Sequence, residues 1–236
     1  MTEAASAAAR RVTPAADTGP PDGIPRAGIR FDEQLPRRGV GFTLHGRDGV
    51  AFRFDPGALC LELVLTGGPG RLARFESLHH PEDLVRWAEF SRLPDGLDLA
   101  VTPEDLPAAR SLRNALYVLA ADRAHGRPWD PAPLATVNAA AGNAPLGVRF
   151  TAAGERAWVP GATVSQLLST VARDAVDLFT GPHAHRVREC APDDCALLFV
   201  DTSRPGRRRW CSMERCGNRH KVRAHRARGA APEPAG

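Results

Sequence analysis

The sequence predicts a mainly α-helical α+β protein with small β hairpins, in which a helical N-terminal domain precedes a small four-cysteine finger. Three observations carry this prediction. Apolar residues recur at helical spacing in several segments, short apolar runs flank turn residues, and four of the five cysteines fall within residues 190–216. With 236 residues, 43% of them hydrophobic, the chain has room for one medium-sized domain besides the finger. We therefore predict a helical domain over residues 48–181 and the finger over residues 182–228.

Both ends of the chain are predicted to be disordered. Residues 1–47 are rich in Ala, Pro, Gly and Arg with little periodicity, and a second short tail is expected over residues 229–236. Structure is expected to begin near Val50, with a short strand at 51–54.

The segment after that strand is ambiguous. Asp55 and Pro56 suit an N-cap and a first helical position. The apolar residues of 59–65 fit one face of a helix nearly as well as they fit a strand, so both alternatives stay open. Cys60 is expected to be a small buried hydrophobic residue.

The rest of the helical domain is predicted from start and stop signals. Pro81 opens a helix, and Thr102 with Pro103 begins another that continues to Gly126. A helix over 134–141 and a hairpin over 146–158 follow. The clearest helical pattern is the apolar stripe of 164–179. The helix is expected to end at Gly181 and Pro182, and we place the domain boundary there.

The paired cysteines predict one structural zinc ion. Cys190 and Cys195 are separated by four residues, as are Cys211 and Cys216, and fifteen residues lie between the pairs. Each pair can supply two thiolates from one tight turn, which suits a closed tetrahedral site of the zinc-ribbon or treble-clef type. A disulfide framework is the alternative, but it needs an oxidising compartment, and no secretory signal is recognisable. We therefore expect zinc and a cytoplasmic location.

The finger is predicted to consist of a hairpin and a basic helix. The apolar run 196–200 is one expected strand, 204–207 a turn, and 208–211 the returning strand. The residues after Cys216 contain no breaker before Gly229 and indicate a helix. Metal would replace the hydrophobic core that so short a unit lacks.

The finger is the basic part of the chain. Residues 186–228 contain twelve Arg or Lys and five Asp or Glu, whereas the remainder has nineteen basic and twenty-two acidic residues. This asymmetry is typical of a protein that binds nucleic acid through one module. Few aromatic residues are available there for stacking on bases, which favours duplex DNA over single strands.

At this point a family resemblance is recognisable. The run WCSMERCGNRHK at 210–221, with LFVDTSR at 198–204, resembles the CGNR zinc-finger family, named for the motif formed here by residues 216–219. The resemblance covers roughly residues 187 to 223. It implies an N-terminal ABATE domain and a role as a bacterial transcription regulator, often linked to stress. Upstream, the LELVLT run at 61–66 stands where the family has an LDLVNT-like run, with Leu65 in the place of Asn.

The expected DNA-binding surface combines the final helix with the residues before the second cysteine pair. Gly217 would let the backbone approach DNA, and the exposed amides of the helix start would favour an anion. The alternative is that Asn218 is only a cap and Arg219 packs within the finger. The predicted DNA-binding residues are Arg207, Arg208, Arg209, Asn218, Arg219, Lys221, Arg223 and Arg226.

The helical domain is expected to hold a small acidic effector or to form a homodimer. Arg113 and Asn138 lie beside apolar stripes. ABATE-like sequences often have an Arg at the place that Arg113 occupies here. An arginine there could bind a carboxylate through two hydrogen bonds. The alternative is that Arg113 only extends from the edge of the core and that the domain serves packing or dimerisation.

Two functions remain open after these observations. The first is a DNA-binding transcription regulator, and the second is an RNA- or protein-interaction module built on the same structural zinc. We expect no enzyme, because four thiolates leave zinc no open position and no phosphate-binding loop, HExxH or GxSxG motif occurs. No apolar run approaches the length of a membrane span, so no membrane partner is expected.

Overall fold

The computed structural model describes residues 28–31, 41–46, 48–192 and 195–229, with no side-chain description at positions 71, 224, 225 and 227–229. Its first element is a three-stranded antiparallel sheet of β1 (Gly28–Ile29), β2 (Phe42–His45) and β3 (Ala51–Phe54), in that order. Phe42 pairs with Phe54 and both are buried.

This sheet corrects the expected tail over residues 1–47, because residues 28–29 and 42–45 form two of its strands. Their apolar side chains enter the core, which gives these short strands a reason to pair. The other residues of that range, and residues 230–236 of the second expected tail, lie outside the part of the chain that the structure describes.

The ambiguous segment after β3 is a helix. Helix α1 (Leu59–Val64) is buried at all six positions, so it has no solvent-facing side to reveal its periodicity. It begins later than expected. The side chain of Asp55 accepts a hydrogen bond from the Gly57 N–H (2.8 Å) and forms a turn with φ +88° at Gly57, and Ala58 precedes the helix in extended conformation.

Two longer helices follow a short 3-10 segment (Gly70–Phe75). Helix α2 (Glu82–Phe90) starts after Pro81 as predicted, and α3 (Asp105–His125) ends at Gly126 in the left-handed conformation. The start of α3 lies two residues later than Thr102 and Pro103 suggested. The reason is that Asp105 accepts hydrogen bonds from both the N–H (2.7 Å) and the hydroxyl (3.0 Å) of Thr102. Thr102 is therefore the donor, whereas an N-cap side chain would accept a hydrogen bond from the helix.

The remaining elements of the helical domain agree with the sequence prediction. Helix α4 (Pro131–Ala141) packs on α3, and the hairpin predicted over 146–158 is present. Helix α5 (Val164–Thr180) begins with a capping box between Thr163 and Gln166. The strands in this part are β4 (Leu99–Ala100), which pairs in parallel with β7 (Ala162–Thr163), and β5 (Val148–Phe150), which pairs antiparallel with β6 (Arg156–Trp158).

The finger contains one hairpin, but its strands differ from the prediction. Strand β8 (Val187–Glu189) pairs antiparallel with β9 (Leu198–Val200), so the first two cysteines lie in the loop of this hairpin. The prediction of a returning strand at 208–211 is wrong. That segment contributes one backbone hydrogen bond, from the Ala191 N–H to the Arg209 carbonyl (2.9 Å). It ends at Cys211, one of the four clustered cysteines.

The last helix is preceded by an unexpected π-helical turn. This turn spans Met213–Gly217 and leads directly into α6 (Asn218–Gly229), the basic helix that the sequence predicted. No helix in the described ranges has the length and apolar character to cross a membrane.

One hydrophobic core runs through both parts of the protein. It contains Phe42, Phe54 and the helices of the first domain, and it continues through Val187, Phe199 and the three buried cysteines of the finger. A backbone hydrogen bond from the Val200 N–H to the Pro56 carbonyl (2.8 Å) joins β9 to the segment after β3. The finger is therefore packed onto the domain.

Candidate metal centre and basic surface

Four cysteines converge at the end of the β8–β9 hairpin. Their sulfur atoms all lie within 4.8 Å of one another, with 3.5 Å between Cys211 and Cys216 and 3.9 Å between Cys195 and Cys211. Cys190 follows β8 and Cys195 precedes β9, whereas Cys211 and Cys216 come from the π-helical turn and the residues before it. Three of the side chains are buried, and that of Cys195 is half-buried.

The donor set fits one zinc ion. Four sulfurs at Zn–S bonds of about 2.3 Å stand roughly 3.8 Å apart in a tetrahedron, close to the separations in this cluster. The Cys211 N–H donates to the Cys190 sulfur (3.2 Å), a contact that favours a thiolate there. Zinc bound by all four cysteines has no open coordination position, so the site is structural.

The charge of the thiols depends on their mutual contacts and on Arg219. Hydrogen bonds with Cys190, Cys195 and Cys211 hold the pKa of the Cys216 thiol far below its usual range, and the nearby positive charge of Arg219 lowers it further. Arg219 is half-buried beside the cluster. It therefore contributes to the electrostatics of the metal site, and its predicted contact with DNA stays a prediction.

The loop after β9 is closed by Asp201, which is fully buried. Its carboxylate accepts hydrogen bonds from the N–H (2.9 Å) and hydroxyl (2.6 Å) of Ser203 and from the Arg208 N–H (2.9 Å). Burial raises the pKa of Asp201, but these hydrogen bonds outweigh it and the pKa lies below its usual value. The LFVDTSR run thus supplies strand β9 and the carboxylate of Asp201. The hydrogen bonds of this carboxylate hold the loop that leads back to the second cysteine pair.

Arg208 is half-buried and packs against the finger. Its guanidinium lies over the Phe199 ring, 4.2 Å from the centroid, and donates to the carbonyls of Trp210 (3.0 Å) and Cys211. These contacts direct the charged group of Arg208 at protein atoms, and its predicted contact with DNA stays a prediction. The neighbouring Arg207 and Arg209 are exposed.

The start of α6 differs from the anion site that the sequence suggested. Gly217 is buried, and its N–H donates to the Ser212 carbonyl (3.0 Å) within the π-helical turn. A Cβ at this position would lie 2.9 Å from the Met213 sulfur, so the glycine permits close packing inside the finger. The side chain of Asn218 is exposed and donates to the Glu214 carbonyl (3.2 Å).

The outer face of α6 carries the remaining predicted cations. Lys221, Arg223 and Arg226 are exposed, and an open groove of ≈ 500 Å³ separates part of this helix from the β2–β3 turn. The groove is lined by Asp48, Val50 and Phe52 on one side and by Arg219, Val222, Arg223 and Arg226 on the other. We call Arg207, Arg209, Lys221, Arg223 and Arg226 the outer basic residues.

The two residues expected to bind an effector have different environments. Arg113 is buried and donates to Glu76 Oε1 (2.6 Å), to the Thr66 carbonyl and to Asn114 Oδ1. Burial raises the pKa of Glu76, but the hydrogen bond and charge of Arg113 outweigh it, so the pKa lies below the usual value. Asn138 is exposed on α4.

A cavity that the sequence analysis missed lies elsewhere, between the N-terminal sheet, α1 and the finger. Its volume is ≈ 250 Å³, and neither Arg113 nor Asn138 lines it. Leu65, which replaces the Asn of the family pattern, is one of the wall residues. Because the walls come from six separate segments of the chain, the one signal available in the sequence was this replacement.

Two family models match the chain. Residues 57–182 match the ABATE model, described as a "putative stress-induced transcription regulator", and residues 186–229 match the model described as the CGNR zinc finger. A comparison with curated proteins finds no match. The first model covers more than half of the chain and the second contains the four-cysteine cluster.

Proposed function

The chain belongs to the ABATE family and ends in a CGNR zinc finger, and from this premise we propose that it is a transcription regulator that binds duplex DNA through the finger. The observation that carries the proposal is the position of the outer basic residues. All five are exposed, and all lie on α6 or on the loop directly before the second cysteine pair. The metal site connects these two segments, because Cys211 and Cys216 lie between them.

The metal would act by fixing the basic surface. The α6 helix has many basic residues and few apolar ones, so it gains little from burial and needs an external anchor. Cys216 supplies that anchor from the π-helical turn that leads directly into the helix. A rigid helix whose exposed side carries Lys and Arg can contact phosphates at fixed spacing, which supports binding to duplex DNA.

The aromatic residues of the finger support duplex over single-stranded nucleic acid. Phe199 is fully buried beneath Arg208. Trp210 is half-buried, with Arg209 over its ring (5.3 Å to the centroid) and His220 beside it (5.6 Å between centroids). Because both rings have protein neighbours, neither is presented as a platform for an unstacked base.

A protein partner is the second candidate, and one observation favours it. Met213, Val222 and Val50 are large apolar residues with about half of their surface exposed, and the last two line the groove beside α6. A peptide with apolar and acidic side chains would suit such a mixed surface. In this version the finger is a scaffold and the outer basic residues meet acidic groups of the partner.

Fluorescence anisotropy with the zinc-loaded full chain separates these candidates. The labelled probes are a mixed-sequence 24-base-pair DNA duplex, one of its strands alone, the RNA duplex of the same sequence and an acidic polypeptide of equal charge. We expect the DNA duplex to bind most tightly and to weaken steeply as salt rises. Tighter binding of the RNA or the polypeptide would overturn the DNA proposal. Sequencing the DNA fragments that co-purify with the protein then identifies preferred sites.

A further inference from the structure

We infer that the outer edge of the β5–β6 hairpin is a self-association surface, on which β5 pairs antiparallel with β5 of a second copy of the chain about a twofold axis. This surface would serve the homodimer that the sequence suggested, and its use does not depend on DNA binding. Three features of the hairpin support it: the exposure of β5, the direction of its backbone groups and the match between the strand and its own reversed copy.

Strand β5 is the exposed half of the hairpin. All three of its residues are exposed, and Phe150, at 83%, is the most exposed large apolar side chain in the described ranges. Val148 is 57% exposed. Strand β6 is attached to the domain instead, because Trp158 is buried and its indole N–H donates to the Pro94 carbonyl (3.1 Å). Apolar side chains displayed together on an edge strand are typical of a surface that another chain covers.

The backbone groups of β5 alternate between β6 and the opposite edge. The Val159 N–H donates to the Gly147 carbonyl (3.0 Å), so odd-numbered positions of this strand face β6. The N–H and C=O groups of Val148 and Phe150 therefore point to the outer edge. Within the part of the chain that the structure describes, β5 has β6 as its one strand partner, and its outer edge is open to a further strand.

The strand matches its own reversed copy. Its sequence is apolar, charged and apolar from Val148 to Phe150, and this order is the same in both directions. With the twofold axis at Arg149, Val148 lies opposite Phe150 of the second copy, and the two can exchange both of their backbone hydrogen bonds. Symmetry repeats this pair on the other side of the axis. Because Val148 and Phe150 project from one face of the hairpin, apolar side chains meet there.

Arg149 limits the strength of this contact. In the same register the two Arg149 side chains lie across the axis on the other face, and like charges at opposed positions destabilise a sheet. The guanidinium is directed toward the Trp158 carbonyl (3.4 Å) on the side of β6, which moves its charge away from the axis. Two hairpin edges also bury less than the roughly 1,200 Å² that is typical of stable complexes. The dimer is therefore weak and forms at high protein concentration.

Sedimentation velocity with the zinc-loaded full chain tests the surface, at concentrations from about 5 to 500 μM that suit a weak interface. We expect a reversible equilibrium between monomer and dimer. Phe150→Ser removes the most exposed apolar side chain and should weaken the dimer at least about tenfold. The matched control is Val176→Ser, which changes an exposed apolar residue on α5 and should leave the equilibrium unchanged.

Mixing two proteins tests the register. Arg149→Glu places an acid opposite Arg149 of a parental copy, so an equimolar mixture of variant and parent should associate about fivefold more tightly than either protein alone. A mixture of the parent with Arg127→Glu, which changes an exposed arginine outside the hairpin, should associate as the parent does. A mixture with Arg149→Glu that is no tighter than its components would overturn the pairing.

The result is separable from that of DNA binding. Duplex binding measured at protein concentrations far below the Kd of the dimer reports the monomer, so Phe150→Ser should bind DNA as the parent does. A parental chain that stays monomeric over the whole concentration range, or a Val176→Ser variant weakened as much as Phe150→Ser, overturns the self-association surface, whatever the affinity for DNA.

Discussion

Arg215, between the last two cysteines, donates through Nη2 to Oδ1 of Asp48 in the turn of the β2–β3 hairpin, at 2.9 Å. Its guanidinium also lies 4.7 Å from the centroid of the Phe52 ring. The hydrogen bond from Arg215 lowers the pKa of Asp48 below its usual value. Together with the Val200–Pro56 hydrogen bond, this contact ties the finger to the N-terminal sheet, so the metal site and the sheet support each other.

The first prediction concerns the metal. We expect one zinc ion per chain, held by Cys190, Cys195, Cys211 and Cys216, and its loss in Cys216→Ala. Structural zinc contributes on the order of 10 kcal/mol to the folding of isolated fingers. Because the finger shares its core with the domain, the variant should also lower the thermal unfolding temperature of the helical part.

The matched control for the metal is Cys60→Ala. Cys60 is fully buried in α1 and does not belong to the cluster, so this variant should keep one zinc per chain. Elemental analysis and circular dichroism measure both effects. Equal zinc content in the two variants would contradict the assignment of the ligands, and an unchanged helical transition in Cys216→Ala would contradict the shared core.

The second prediction distinguishes two adjacent arginines. Arg208→Ala removes the contact with Phe199 and the hydrogen bonds to Trp210 and Cys211, so it should lower the free energy of unfolding by about 1–3 kcal/mol. The exposed Arg207→Ala should stay within about 0.5 kcal/mol of the parent. Denaturant unfolding of the zinc-loaded proteins measures the difference. Equal stability of the two variants would show that Arg208 is not needed for the fold.

The third prediction concerns the buried pair of Arg113 and Glu76. Replacing Arg113 by Met leaves the carboxylate half-buried without its closest cation, which should cost about 2–4 kcal/mol of folding free energy. Asn138→Ala, at the exposed position on α4, is the control and should be nearly neutral. Chemical denaturation compares the two. A Met variant as stable as the parent would contradict a structural role for this pair.

The fourth prediction concerns pH. Burial raises the pKa of Glu62 to about 7, against opposing contacts from Arg92. Since the folded state then binds its proton more tightly than the unfolded state, this residue favours folding at low pH. Its contribution is complete below about pH 4.5 and is lost as pH rises through about 7.

Comparison with Glu62→Gln isolates this contribution, because zinc affinity and the other acids change equally in both proteins. Between pH 5 and 8, the parent should lose on the order of 2 kcal/mol of stability relative to the variant. Urea unfolding at several pH values provides the measurement. A difference that is constant over this range would mean that Glu62 is ionised at pH 5 in the folded protein.

Local signals in the sequence predicted most of the helices and the metal ligands. The stripe in α5, the stop at Gly126 and the spacing of the cysteines each act over a few residues, and the structure has the corresponding elements. The helix α1 stayed ambiguous because burial on all sides removes the periodicity by which a helix is recognised.

What the sequence did not predict depends on contacts between distant segments. Strand β2 pairs with β3 across a short turn. Its other partner, β1, is separated from β2 by more than ten residues that include Pro and Arg. Strand β9 pairs with β8, which precedes it in the chain, and not with residues 208–211 after it. A hydrogen bond from the Arg208 N–H to the Asp201 carboxylate holds the returning segment instead. The separation of Arg208 from its exposed neighbours and the cavity beside Leu65 follow from the same tertiary packing.

The most direct test of the proposed function is the salt dependence of duplex binding by a Lys221→Gln/Arg223→Gln variant, loaded with zinc. Both residues are exposed on α6, and neutralising them should weaken binding to every duplex and flatten the slope of log K against log salt by about 0.9 per lost phosphate contact. An Arg127→Gln/Arg149→Gln variant removes the same charge from the exposed surface of the helical domain and should retain the parental slope. An unchanged affinity and slope in the α6 variant, or an equal loss in the control, would contradict DNA binding through the finger.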